Sequence, residues 1–224
     1  MDLMNFSEIL TSYWPAFLFS LACTIFGSML IDYLYSKALQ RGSLSFPEQI
    51  QHRARFRKQV LFLALLFFFS KAWNMTTMPA LPYIIIAISF LMLMTVTDFE
   101  QQVILDEIVF TFALLGLCYV LHLQLSFTDH LLASLGGGCF FLFLAFISKG
   151  ALGGGDIKLI AALGLWLGWK SLLSVIIYGA IAGGVAALVL LLTKKIQQKQ
   201  YLAYGPYFAL SAIGLMLQLL RGLF

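Results

Sequence analysis

Long apolar runs separated by short polar intervals are the feature that most limits how this chain can fold. In one of them, residues 61–67, every side chain is apolar and none alternates with a polar one. A membrane β-barrel needs such alternation, so the pattern excludes it. The composition agrees, because 61% of the 224 residues are hydrophobic and 11% are charged, outside the usual range of soluble domains. The sequence therefore predicts an all-α polytopic membrane protein, whose helices satisfy their own backbone groups in lipid.

About eight transmembrane helices are predicted from stretches of about 20 apolar residues. They lie at residues 12–35, 59–76, 80–97, 107–125, 130–148, 157–169, 171–193 and 205–223. With both termini outside, this topology places eleven Lys and Arg residues inside and three outside, which is a strong positive-inside bias. It also places Asp98 and Asp156 at the cytoplasmic ends of their spans, on one face of the membrane.

The polar segment between the first two spans divides the chain into two predicted regions. Residues 1–58 hold the first helix and a basic cytoplasmic loop, 36–58, and residues 59–224 hold the other spans. Membrane orientation and contact with anionic lipid explain the net charge of +4, so no nucleic-acid partner is expected. The loop is interpreted either as a lipid-facing topogenic segment or as a docking surface for a substrate or partner.

Two acidic residues stand where apolar spans begin or end. Asp156 follows three glycines, Gly153–Gly155, and Asp98 lies at the end of another apolar run, 156 − 98 = 58 residues earlier. Carboxylates at membrane depth are costly and often functional, and a pair of them can share a proton and activate water. The alternative for Asp156 is a helix N-cap, and for Glu100 and Asp106 it is a polar turn that caps the next helix.

At these residues the chain resembles the type IV prepilin leader peptidases, membrane aspartic proteases of the Gly-x-Gly-Asp class. Gly153–Leu159 is similar to the family's glycine-rich motif and its lysine-containing helix start. Asp98–Asp106 has the spacing of the other motif (106 − 98 = 8), with Leu105 where a proline usually stands. Ala203–Ala209 is similar to the family's Gly-Pro stretch before the last helix, although proline also suits the first turn of any helix.

The resemblance implies a role for each group of residues. The catalytic pair would be Asp98 and Asp156, which would flank a water molecule that attacks the scissile carbonyl. The residues expected to bind substrate or support the motifs are Gly153, Gly155, Lys158, Glu100, Asp106, Gly205 and Pro206. Of these, Glu100 and Asp106 would pair with a short basic leader. The implied substrates are prepilins or pseudopilins, and membrane lipid is the other expected partner.

The resemblance also sets expectations for cofactors and location. Proteolysis by an aspartate pair needs no cofactor. Bacterial members often carry two Cys-x-x-Cys pairs in the first loop, which bind structural zinc, but residues 36–58 contain no cysteine, so no metal is expected. Many members also methylate the new N-terminus with S-adenosylmethionine, and this second activity stays open here. The implied location is the bacterial cytoplasmic (inner) membrane, with the site at the cytoplasmic face.

Rival classes fit the sequence less well. An ion- or proton-coupled transporter predicts charged groups near the midplane and repeated halves, and the sequence shows neither. A scaffold protein would use Gly136–Gly138 and Gly183–Gly184 for close helix packing, but it leaves both acidic motifs unexplained. A presenilin-like protease has a tyrosine before the first aspartate, where this chain has Thr97.

Overall fold

The described part of the protein is entirely helical. The computed structural model describes the backbone of residues 6–73, 79–148, 152–193 and 203–220, and the side chains of residues 14–72, 79–148, 152–193 and 203–219. The helices are α1 (Phe6–Gln40), α2 (Ile50–Arg53), α3 (Arg57–Trp73), α4 (Leu81–Gln101), α5 (Asp106–His122), α6 (Phe127–Ile147), α7 (Gly154–Leu192) and α8 (Gly205–Leu220). Short 3-10 turns, Pro47–Gln49 and Ala54–Phe56, flank α2. No strand occurs in these ranges, and the predicted all-α class is confirmed.

Four of the described helices are long and apolar enough to cross a membrane. They are α4, α6, α7 and the Trp14–Gln40 part of α1, and their best windows have mean hydropathies between 1.8 and 2.6. The apolar part of α8, Gly205–Leu219, is shorter, and α3 and α5 have 17 residues each. The chain is therefore a polytopic membrane protein. The number of crossings and the side on which each terminus lies stay predictions.

Two helices extend past their predicted ends, and both extensions concern the site. Helix α4 continues to Gln101 rather than 97, so Asp98 belongs to its last turn instead of the following loop. Helix α1 continues to Gln40, and much of residues 47–56 is helical. The segment 36–58 is therefore shorter and more ordered than a free loop.

Helix α7 is broken at Gly168, close to the boundary predicted between the spans 157–169 and 171–193. The backbone there has φ 70° and ψ 179°, a conformation that favours glycine. The first turn of α6 satisfies the groups freed by the break. The Asp129 carboxylate accepts the Trp169 N–H at 3.1 Å, and the His130 Nδ1–H donates to the Leu165 carbonyl at 2.8 Å.

Small residues bring α7 close to its neighbours, α6 and α8. A Cβ on Gly164 would collide with the α6 backbone at Ser134, and one on Gly183 would stand 2.6 Å from the Tyr204 ring, just before α8. On the other side, the buried Trp166 indole donates a hydrogen bond to the Phe112 carbonyl of α5 at 2.8 Å. The first half of α7 is thus held by α5 and α6, and its second half packs against the start of α8, which fixes the position of its N-terminal acid.

Candidate active site

Asp98 lies in the last turn of α4 and is buried, with 5% of its surface exposed. The helix ends just after it, because Gln102 adopts a left-handed conformation (φ 52°) and donates its N–H to the Asp98 carbonyl at 2.9 Å. The Asp98 Oδ2 atom has no hydrogen-bond partner within the described residues. An unpartnered buried carboxyl oxygen is costly, so this oxygen is a place where a proton donor would bind favourably.

Asp156 lies in the first turn of α7 and is also buried, with 8% of its surface exposed. The N-cap position belongs to Gly153, whose carbonyl accepts the Asp156 N–H at 3.1 Å, so the N-cap alternative for Asp156 is wrong. Its Oδ2 oxygen lies near Gly153, 3.4 Å from the point where a Cβ on that glycine would stand. The Oδ1 oxygen is directed toward Gly205 instead.

Gly205, the first residue of α8, brings the two acids together. A Cβ on this glycine would stand 2.6 Å from Asp98 Oδ2 and 3.3 Å from Asp156 Oδ1. One oxygen of each carboxyl group therefore lies within 3.3 Å of a single point. The three helices α4, α7 and α8 thus converge on one small space lined by both acids.

Ile104 forms the apolar wall of this space, a role that the sequence did not indicate. Its side chain is buried and would lie 3.0 Å from a Cβ on Gly155 and 2.9 Å from a Cβ on Gly205. Both predicted motif glycines therefore give room to the same side chain. In the sequence, only the position of Ile104 between Asp98 and Asp106 could have indicated this role, because packing against two distant glycines has no local pattern.

The other predicted residues lie around this center. Lys158 lies two residues after Asp156 and forms an exposed ion pair with Asp106 at 2.6 Å. This ion pair joins the two acidic motifs. Exposed ion pairs contribute about 0–1 kcal/mol to stability, which leaves Asp106 exchangeable between partners. Pro206 is buried in the first turn of α8, where its missing N–H costs nothing.

Glu100 does not have the surroundings expected of a leader-binding acid. Its buried carboxylate accepts hydrogen bonds from the Arg57 guanidinium, between 2.8 and 3.1 Å, and from the Tyr35 hydroxyl at 3.1 Å. These partners occupy the oxygens that a basic leader would need. The expectation for Glu100 is corrected accordingly, because a buried and fully paired carboxylate is a structural group.

Comparison of this sequence with protein families finds a match that includes both aspartates. Residues 85–188 match the model of the Type IV leader peptidase family, a range that contains both aspartates and ends before Gly205. This part of the chain is similar to the type IV leader peptidase family. An aspartic peptidase family needs no metal, and in the described ranges no three His, Cys, Asp or Glu side chains cluster as a metal site.

Its relatives carry the name prepilin leader peptidase/N-methyltransferase. The one from Pectobacterium carotovorum subsp. carotovorum is 33% identical over 58% of this chain and 48% of its own length. Those from Aeromonas salmonicida (strain A449) and Bacillus subtilis (strain 168) are 25% and 30% identical, over 81% and 58% of this chain and 62% and 52% of their own lengths. The chain thus spans about half the length of the relatives it matches. No solved structure matches it.

Proposed function

We propose that this protein is a membrane aspartic endopeptidase that removes the leader from prepilins or pseudopilins, with Asp98 and Asp156 as its catalytic pair. The convergence of both carboxyl groups on Gly205 carries the proposal. Two acids 58 residues apart in sequence (156 − 98) are buried side by side, although burying a carboxylate is costly. Such an arrangement is typical of a pair that shares a proton and works as one unit.

In the proposed reaction, the two carboxyl groups that line this space play different roles. One aspartate is ionised and takes a proton from a water molecule, which attacks the scissile carbonyl carbon. The other is protonated and donates its hydrogen to the carbonyl oxygen. As the resulting diol collapses and the C–N bond breaks, the aspartate that took a proton from water gives it to the leaving amine, and the other aspartate takes a proton from a diol hydroxyl. Gly205 and Gly155 present no side chain, so the Ile104 side chain can pack against both of them, and the two carboxyl groups can lie close to Gly205.

Substrate orientation follows from the predicted topology. The predicted topology puts the end of α4 and the start of α7 at the cytoplasmic face of the inner membrane. The pair Asp98 and Asp156, here called the dyad, would then meet a substrate whose basic leader stays in the cytoplasm and whose apolar helix lies in lipid. Asp106 is the acid best placed for that leader, because it is exposed and, among the described residues, its ion-pair partner is Lys158. A leader Lys or Arg would replace Lys158 as its partner.

The test is co-expression with a prepilin and mass measurement of the product's N-terminus. We expect the parent to cut the leader, and Asp98→Asn and Asp156→Asn to leave it uncut while reaching the membrane at parental levels. Asn keeps the shape of Asp but cannot ionise, so each change removes the shared proton chemistry. Full cleavage by either Asn variant, or no cleavage by the parent, would count against the proposal.

The same mass measurement tests whether the protein also methylates the new N-terminus. A product heavier by one methyl substitution would show that N-methylation accompanies cleavage, and the relatives carry both activities in their printed name. A product of unmodified mass would make this protein a peptidase alone.

A further inference from the structure

A buried ion pair holds the last turn of α4 from the side opposite the dyad. The side chains of Arg57 and Glu100 are 2% and 7% exposed. Arg57 Nε donates to Glu100 Oε1 at 2.9 Å, and Arg57 Nη2 donates to Oε2 at 2.8 Å, which gives the two parallel bonds of a bidentate pair. Tyr35 donates to the same carboxylate, and Asp32 also pairs with Arg57.

This pair contacts the same helical turn that carries Asp98. Residues 98 and 100 are separated by about 200° around a helix with 3.6 residues per turn. Asp98 therefore faces α7 and α8, whereas Glu100 faces α1 and the start of α3. The two side chains lie on opposite sides of one rigid turn, so a movement of Glu100 also moves Asp98.

The segment between α1 and α3 adds two further bonds to this turn. Arg53 Nη1 donates to the Glu100 carbonyl at 3.1 Å, which satisfies one of the free carbonyls at the helix end. The Phe46 backbone N–H donates to Gln101 Oε1 at 3.0 Å. The end of α4 is thus fixed through its main chain and through two consecutive side chains.

The basic stretch at residues 52–58 is therefore divided between two faces. Arg53 and Arg57 point inward and bind α4, whereas Arg55 and Lys58 are exposed. Membrane orientation needs only the positive charge, which exposed residues supply equally well. A buried pair is a costly way to carry charge and is more useful for fixing one arrangement.

We propose that Arg57 and Glu100 are positioning residues that fix the last turn of α4 and thereby orient Asp98 toward Asp156. This rests on the proposed peptidase function, and neither residue touches the substrate. The segment 36–58 then has a role other than a lipid-facing loop or a docking surface, because it joins the N-terminal region to the catalytic turn.

The test uses the full chain in lipid vesicles with a prepilin substrate. The variants are Arg57→Gln, Glu100→Gln, the double variant and Arg57→Lys, with Arg55→Gln as a control that removes the same charge from an exposed position. We expect the double variant, which leaves no unpaired buried charge, to fold and to show kcat about 100-fold lower, as a displacement of about 1 Å produces, with KM nearly unchanged. Arg57→Lys should recover part of kcat, and Arg55→Gln should match the parent.

A second measurement does not depend on cleavage. Hydrogen exchange at the Gln102 amide, which bonds to the Asp98 carbonyl, should become faster in the double variant, because the last turn of α4 loses its support. Parental exchange at Gln102 would overturn the proposal even if the protein cut no prepilin, an outcome that would separately refute the peptidase function. Faster exchange with parental kcat would also overturn it, since the pair would then support the fold without orienting Asp98.

Discussion

Gly205→Ala is the change that most directly tests how the two aspartates are arranged. The new Cβ would stand 2.6 Å from Asp98 Oδ2 and 3.3 Å from Asp156 Oδ1, whereas ordinary contacts begin at 3.4 Å. The Asp98 oxygen must therefore retreat by about 0.8 Å, or α8 must shift by as much, in an interior with little free space. Ile104, with its Cδ1 at 2.9 Å from the same point, blocks the other direction.

The size of the effect follows from this displacement. A misplacement of about 1 Å can lower a reaction rate about 100-fold, which corresponds to about 2.7 kcal/mol of lost transition-state stabilisation. Overpacking also lowers the free energy of unfolding by about 1–3 kcal/mol. We therefore expect Gly205→Ala to have a much lower kcat together with a moderately lower melting temperature.

The assay is the initial rate of prepilin cleavage in reconstituted vesicles, with thermal melting of the same preparations. Gly214→Ala is the matched control, because it lies on the same helix and a Cβ there meets no atom within 4 Å. The control should keep the parental kcat. If Gly205→Ala also kept the parental kcat and melting temperature, Gly205 could not line a space between the two carboxyl groups, and the proposed arrangement of Asp98 and Asp156 would be refuted.

Two further comparisons use pairs of glycines. In the glycine-rich motif, Gly155→Ala would place a Cβ 3.0 Å from Ile104 Cβ, whereas a Cβ on Gly154 would meet no atom within 4 Å. Gly155→Ala should therefore lower kcat for prepilin cleavage about tenfold, and Gly154→Ala should leave it unchanged. A larger effect of Gly154→Ala would contradict the proposed site. At the break in α7, Gly168→Ala places a side chain on a residue with φ 70°. This change should lower the free energy of unfolding by about 1–3 kcal/mol, measured by melting in detergent. Gly184→Ala, where a Cβ meets no atom within 4 Å, should not lower it.

Much of the fold could be predicted because it depends on local composition. The apolar runs give the helical class and the approximate ends of the helices, and the break in α7 falls close to the predicted boundary at residue 170. Helix α4 was predicted too short because Asp98, Glu100 and Gln101 are polar and resemble a loop. Tertiary contacts bury all three, and such contacts override the local preference.

The candidate site was predicted in part, and its limits have a physical origin. The two acids and the motif glycines could be named from their spacing, since each motif is a local pattern. The partners of Glu100 could not, because an acid beside a polar turn gives the same local pattern whether it faces solvent or Arg57. The wall formed by Ile104 depends on Gly155 of α7 and Gly205 of α8, which are distant from it in the sequence.

The sequence by itself determined that this chain is a helical membrane protein, that it resembles a peptidase family, and that Asp98 and Asp156 are its candidate acids. Only the tertiary structure decided that both acids converge on Gly205, that Asp156 lies in the first turn of α7 rather than at its N-cap, and that Glu100 is buried against Arg57. Hydropathy and motif spacing are properties of neighbouring residues. The environment of a buried charge depends on groups brought together from distant parts of the chain, and those groups decide whether the charge is paired or left for chemistry.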